Sequence, residues 1–221
     1  MNKKFGVNDY FLMYKKYGIR LPIDYFIQNH LFDLFLKVDT HKRVLKKDYS
    51  VKPKNFEHGI MYMSSFWSVV YKSINFIYKN EINFKSFNLV DVGSGKGKVL
   101  IIWKYYCKIK KLSNKIIGIE YSKDLIDISK KNLKDSKDVR LINSGVLGVP
   151  EDLFTQGNII YLFNPFDEVV MKNFVDKLNT TTYIIYNNPV HLEILLEKGF
   201  KILHSVHGYH PNRNWMILKY I

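Results

Sequence analysis

The chain has 221 residues and contains no alanine, a single cysteine and little arginine: only four of its 34 Lys and Arg residues are arginine, at positions 20, 43, 140 and 213. One cysteine, Cys107, set in an apolar and aromatic stretch, excludes a disulfide framework and argues against a metal cluster. The shortage of arginine withholds the planar fork that suits phosphates and guanine edges. A net charge of +14 would suit a polyanionic partner, but carried by lysine it reads first as a solvated surface. The start, "MNKKFGVNDYFLMYKKYG", lacks an unbroken apolar stretch of signal-peptide length. No segment approaches a membrane span, so a cytoplasmic protein is expected. No internal repeat is visible.

What is present is a globular composition, 47% hydrophobic and 24% charged, in a length that fits one sizeable domain with an appendage. From residue 86 onward short apolar runs alternate with helical patterns. "FNLVDV" (87–92), "KIIGIE" (115–120), "VRLIN" (139–143), "NIIYLFN" (158–164) and "TTYIIYN" (181–187) read as buried strands. Helices follow in "GKVLIIWKYYCKIKK", in "SKDLIDISKKNLKD" with Ser122 as N-cap, in "DEVVMKNFVDKLN" and in "VHLEILLEKG" closed by Gly199. "FKILHSVHG" and "NWMILKYI" have no helix between them and read as a hairpin. Five β–α units and a terminal hairpin predict an open, mostly parallel sheet with helices on both faces. Residues 1–85 show no such strands. They read as three amphipathic helices, in 9–18, 22–37 and 64–80, with a polar, basic loop over 38–60.

The stretch "DVGSGKGKV" between the first strand and its helix raises the question of a cofactor. A phosphate-binding P-loop requires G-x-x-x-x-G-K-[ST], and here valine follows Lys98. Gly93 and Gly95 begin a dinucleotide fingerprint, but Lys98 stands where its third glycine belongs, and Gly97 falls one place early. Two acids decide. Glu120 ends the second strand, where a carboxylate can accept both ribose hydroxyls of an adenosine. Asp91, beside the loop, would repel a pyrophosphate but attract an ammonium. S-adenosylmethionine carries an ammonium and a sulfonium and no phosphate, so the charge pattern favours it over NAD.

On these motifs residues 87–221 resemble a class I S-adenosylmethionine-dependent methyltransferase: "DVGSGKG" is similar to its first motif, "GIEYS" to its ribose-binding acid, and "YLFNPF" to the fourth-strand motif beside the transferred methyl. The resemblance implies an α/β, Rossmann-like seven-stranded sheet whose last strand inserts antiparallel. It also implies S-adenosylmethionine as cofactor, held by Asp91, Gly93, Ser94, Gly95, Gly97, Glu120 and Tyr121, with Asn164 near the methyl. The acid that such proteins often place after strand three is missing; Asn143 or Ser144 would substitute toward adenine. Upstream, "LFDLFLKVDT" and "HGIMYMSSFW" resemble a segment of uncharacterised bacterial, DOT1-like and small lysine methyltransferases. That likeness implies that Tyr62 and Ser65 fold over the methionine end, although Ser64 stands where that segment has proline. The expected organisation is a helical cover over 1–85 and the cofactor-binding domain over 86–221.

The acceptor is less legible. "FNPF" departs from the [DNS]-P-P-[YFW] signature of amino methyltransferases, which points to a small-molecule or sugar hydroxyl. A protein lysine is second, RNA third, and a binding module without turnover a further alternative. Asn164, His191 and His58 are the candidate catalytic residues. Asn187 and Asn188 of "YNNP" could line the acceptor pocket or simply form a turn. His204 and His207 face opposite sides of a strand and make poor joint metal ligands, so no metal is expected.

Overall fold

A computed structural model describes residues 6–42, 44, 49, 50, 52, 56–59, 61–134 and 136–220. The chain starts with α1 (Val7–Tyr17) and continues into a helical path that the sequence reads as one helix. That path has three parts: α2 (Arg20–Tyr25), a π turn (Phe26–Leu31) and α3 (Phe32–Leu36). The expected basic loop over 38–60 lies partly outside the described residues. Within it, Thr40 and His41 are held tightly: Asp33 accepts hydrogen bonds from the Thr40 N–H at 2.6 Å and from the His41 N–H at 3.0 Å. The third expected helix is α4 (Trp67–Asn80).

The strands fall where the apolar runs predict: β1 (Asn88–Val92), β2 (Ile116–Glu120), β3 (Val139–Asn143), β4 (Asn158–Phe163), β5 (Thr182–Asn187), β6 (Lys201–Val206) and β7 (Trp215–Tyr220). The helices between them are α5 (Lys98–Lys110), α6 (Lys123–Leu133), α7 (Glu168–Asp176) and α8 (Leu192–Glu197). Ser122 caps α6 as expected, its side chain accepting from the Leu125 N–H. One seven-stranded sheet results, in the order β3-β2-β1-β4-β5-β7-β6. It is parallel except for β7, which inserts antiparallel between β5 and β6.

One expectation needs correcting. Of the five β–α units, the third has no α-helix: β3 and β4 are joined by two 3₁₀ turns, Val146–Gly148 and Glu151–Phe154. Gly145, Gly148 and Pro150 crowd this connection, and glycine entropy with a missing proline N–H prevents longer helical pairing.

The strands alternate their side chains between two apolar layers. Leu89, Ile159 and Ile185 point to the layer shared with α4 and α5, which holds Val70, Ile74 and Trp103. Val90, Ile160 and Ile184 point to the layer of α7, with Met171 and Phe174. Each such aliphatic side chain, taken fully from water, stabilises the fold by roughly 1.5–3 kcal/mol before entropy is counted. Because α4 contributes to the same apolar layer as the sheet, the segment just upstream of it is brought over the sheet's carboxyl edge. Three helices, α3, α5 and α6, end on a left-handed lysine: Lys37, Lys111 and Lys134 have φ of 55°, 53° and 54°. Glycine is the usual residue there.

Candidate active site

The glycine loop leaves β1 at its carboxyl end, the edge where open α/β sheets bind ligands. Gly93, Gly95 and Gly97 have φ of +79°, +51° and +82°, and close neighbours make side chains impossible as well as strained. A Cβ on Gly95 would lie 2.2 Å from the Tyr62 ring, and one on Gly93 would lie 2.7 Å from Pro165. The loop is thus pressed between the segment before α4 and the end of β4.

Two buried carboxyl groups adjoin it. Glu120 accepts the Gly95 N–H on Oε2 at 2.9 Å and the Ser122 N–H on Oε1 at 2.8 Å. Burial pushes its carboxyl up to about 7, against the pull of those backbone bonds. With a third backbone bond, from Tyr121, one of its four acceptor positions is left open. Asp91 is 3% exposed and its carboxyl makes no hydrogen bond among the described residues. Burial, then the neighbouring Glu120, drives it well above the usual carboxylate range.

Lys98, at the first position of α5, also lines the cavity. Its ammonium donates to the Gln28 carbonyl at 2.7 Å and to Asn29 Oδ1 at 2.6 Å, and lies over the Phe32 ring. Both oxygens come from the π turn. Burial lowers its pKa to about 7, with Asp33 opposing. The N-terminal helices therefore reach the glycine loop through a buried cation.

The roof comes from His58–Gly59 and Met61–Ser65, with Tyr49 beside them. Tyr62 lays its ring against Gly95 and donates its hydroxyl to the Thr40 carbonyl. Asn132 on α6 completes the fastening: its amide donates to the carbonyls of Asp39 and Lys96 and accepts the Asp39 N–H. At the other end, Gly59 and Phe166 form an antiparallel bridge, and the Asp167 N–H donates to the His58 carbonyl at 3.1 Å. The same two residues pair through their side chains, His58 Nδ1 to Asp167 Oδ2 at 2.6 Å. Asp167 also caps α7 by accepting the Val170 N–H. Slight burial raises the Asp167 pKa, but the hydrogen bonds from His58 and Val170 outweigh it and leave it lowered.

From the strand ends, Asp91, Gly93, Ser94, Glu120, Tyr121 and Ser144 line the cavity, and His58, Tyr62, Ser65 and Asn164 do so from the roof and the end of β4. Asn164 adopts φ +43°, and its buried Oδ1, like the Ser94 hydroxyl, has no partner among the described residues. Gly95 and Gly97 shape the loop from behind rather than line the space. Asn143 lies outside the lining: its amide donates to the carbonyls of Glu120 and Tyr121, each at 3.0 Å. His191 also lies outside it, its N–H donating to the Tyr186 hydroxyl. Asn187 is fully engaged, accepting from the Tyr161 hydroxyl and donating to the carbonyls of Asn212 and Asn214. Lys98, Asp167 and Tyr49 were not singled out from sequence. Asp167 carried a signal, an acid opening a helix two residues after Pro165, but nothing local tied it to His58.

No family model and no curated protein matches the chain. Among solved structures it resembles the methyltransferase domain of bacterial CtHen1. For the CtHen1-C structure the TM-score is 0.51 at 12% identity, over 69% of this chain and 96% of that one. For the CtHen1-CN structure it is 0.50 at 13% identity, over 69% of this chain and 100% of that one. The chain has the fold of the class I S-adenosylmethionine-dependent methyltransferases.

Proposed function

We propose that this methyltransferase fold binds S-adenosylmethionine in its cavity and transfers the methyl group to a hydroxyl of a small molecule or sugar. The observation that carries the cofactor reading is Glu120, whose carboxyl is buried at the end of β2 and keeps an acceptor position open for a ribose hydroxyl. Asp91 fits a cationic ammonium. Lys98, where the α5 N-terminus adds positive potential, fits the carboxylate of the same amino acid. Tyr49, Tyr121 and Ser144 offer two aromatic faces and a hydroxyl on the adenosine side. The unpartnered Ser94 hydroxyl and Asn164 Oδ1 are polar groups whose satisfaction awaits a ligand.

When bound, the cofactor supplies a methyl on a sulfonium, open to in-line displacement. The chain's own residues then position and deprotonate. Asp167 holds Nδ1–H of His58, leaving Nε2 with the lone pair that takes the acceptor hydroxyl's proton. Asn164 adds a polar contact to the incoming acceptor, and the roof formed by residues 58, 59 and 61–65 excludes water. In this reading residues 1–85 act as a cover, and His191 and Asn143 take no direct part.

The test is a calorimetric titration with S-adenosylhomocysteine on wild type and on Glu120→Ala, with NAD as control. Micromolar binding that collapses in the variant is expected; a preference for NAD overturns the reading. Transfer of labelled methyl to hydroxyl acceptors but not to amines, slowed about 100-fold in His58→Ala, completes it.

A further inference from the structure

The N-terminal helices bury one face and leave another apolar face outside. Of the 21 exposed large apolar side chains among the described residues, ten fall between positions 7 and 35. On α1 the inner positions are Tyr10, Met13 and Tyr17, while Val7, Phe11 and Tyr14 repeat at helical spacing on the outside. Along α2 and the π turn, Leu21 and Pro22 are buried, whereas Ile19, Ile23 and Phe26 are exposed at the same spacing. Leu34 and Phe35 on α3 are 70% and 78% exposed. A soluble surface helix turns polar residues outward; these turn aromatics and aliphatics outward.

The charges are sorted too. Lys15, Lys16, Arg20 and Lys37 are exposed, and Lys15 lies over the Phe11 ring. The acids of the same helices are engaged: Asp24 pairs with Arg213 at 2.7 Å, Asp33 is buried under Thr40 and His41, and Asp9 accepts the Gly6 N–H. The outward face is thus apolar and cationic. A second copy of the chain would set these cations against each other, with Asp9 alone among the acids of these helices lacking a cationic or buried partner. A surface both oily and anionic satisfies both features.

We propose that α1 and the helical path of α2, the π turn and α3 rest on an anionic lipid surface. Phe11, Phe26 and Phe35 enter the headgroup boundary, and Lys15, Lys16 and Lys37 meet the phosphates. No helix among the described residues is long and apolar enough to cross a membrane, so the contact is peripheral. It goes beyond the proposed transfer and stands independently of it.

The test is flotation of the full chain with phosphatidylcholine vesicles, with and without phosphatidylglycerol. The expected result is binding to the phosphatidylglycerol vesicles alone, weakened by salt as charges are screened. Binding falls roughly tenfold in Phe11→Ser with Phe35→Ser, through lost apolar burial. A second variant, Lys15→Glu with Lys16→Glu, leaves the apolar contacts in place and loses binding through charge. Equal binding to neutral vesicles, no binding to either, or binding unchanged in both variants overturns the proposal. So does sedimentation showing a dimer that the phenylalanine variant dissociates.

Discussion

His58 and Asp167, 109 residues apart in sequence, meet at 2.6 Å beside the end of β4. The pair forms because Gly59 and Phe166 bridge their backbones, so the imidazole belongs to the roof and its carboxylate partner to the floor. Asp167→Asn keeps the shape and removes the charge. Turnover should fall about 100-fold, as for loss of a general base, with cofactor affinity unchanged. His58→Ala should do the same, and the double variant should be little worse than either. Additive losses in steady-state kinetics would show that the two act separately.

Glu120 should make stability fall as pH rises. Its folded pKa of about 7 exceeds the unfolded value of 4.5, so between those values the folded chain holds a proton that the unfolded chain has released. The stabilising contribution is complete below about pH 4.5 and is lost as pH passes about 7, at most roughly 3 kcal/mol. Ribose hydroxyls favour the ionised form, so affinity for S-adenosylhomocysteine should rise across the same window. Chemical denaturation and calorimetry at several pH values check both. Glu120→Gln should flatten each profile.

Lys98→Met should weaken S-adenosylhomocysteine far more than methylthioadenosine, which lacks the amino-acid carboxylate. Losing one charged hydrogen bond predicts roughly a 10- to 100-fold selective loss. An equal loss for both ligands would mean that Lys98 only supports the loop through Gln28 and Asn29.

Gly95→Ala places a methyl 2.2 Å from the Tyr62 ring at a φ of +51°. Either Tyr62 leaves its place or the loop does. Cofactor affinity should drop, and the strained backbone should cost about 1–3 kcal/mol of stability. Thermal melting with and without ligand separates the two effects.

Lys111→Gly, at φ 53° after α5 and far from the cavity lining, should raise stability by about 1 kcal/mol, since left-handed backbone strains an L-residue. Denaturant titration should show a higher midpoint with unchanged cofactor affinity.

The sheet was legible because Ile116, Ile117 and Ile119 or Ile159, Ile160 and Leu162 are buried on both faces and leave continuous apolar runs. The hairpin was legible from the absence of a helix between two such runs. The π turn was not, since widening a helix changes which carbonyl is free without altering the apolar spacing, and the Gln28 carbonyl finds its partner 70 residues away. Lys98 was seen only as a misplaced residue in a glycine fingerprint; its burial depends on helices that precede it. The third crossover was read as one more β–α unit by analogy with its neighbours, although Gly145, Gly148 and Pro150 already opposed a helix. Asn143 ends β3 and His191 precedes α8, both near the carboxyl edge of the sheet, but one side chain's direction decides whether such a position faces the cavity. Asn143 turns back to its own sheet.

The bridge between Gly59 and Phe166 has a kinetic meaning. It joins the strip over the glycine loop to the residue just before α7, so under the proposed function one strip, acting as a shutter, would cover both ligands. A ligand that needs the shutter raised must arrive before the one that needs it lowered. Turnover should therefore be sequential and ordered, cofactor leading and spent cofactor leaving last. The demethylated product should compete with S-adenosylmethionine but not with the acceptor, and reopening, rather than chemistry, would set the pace.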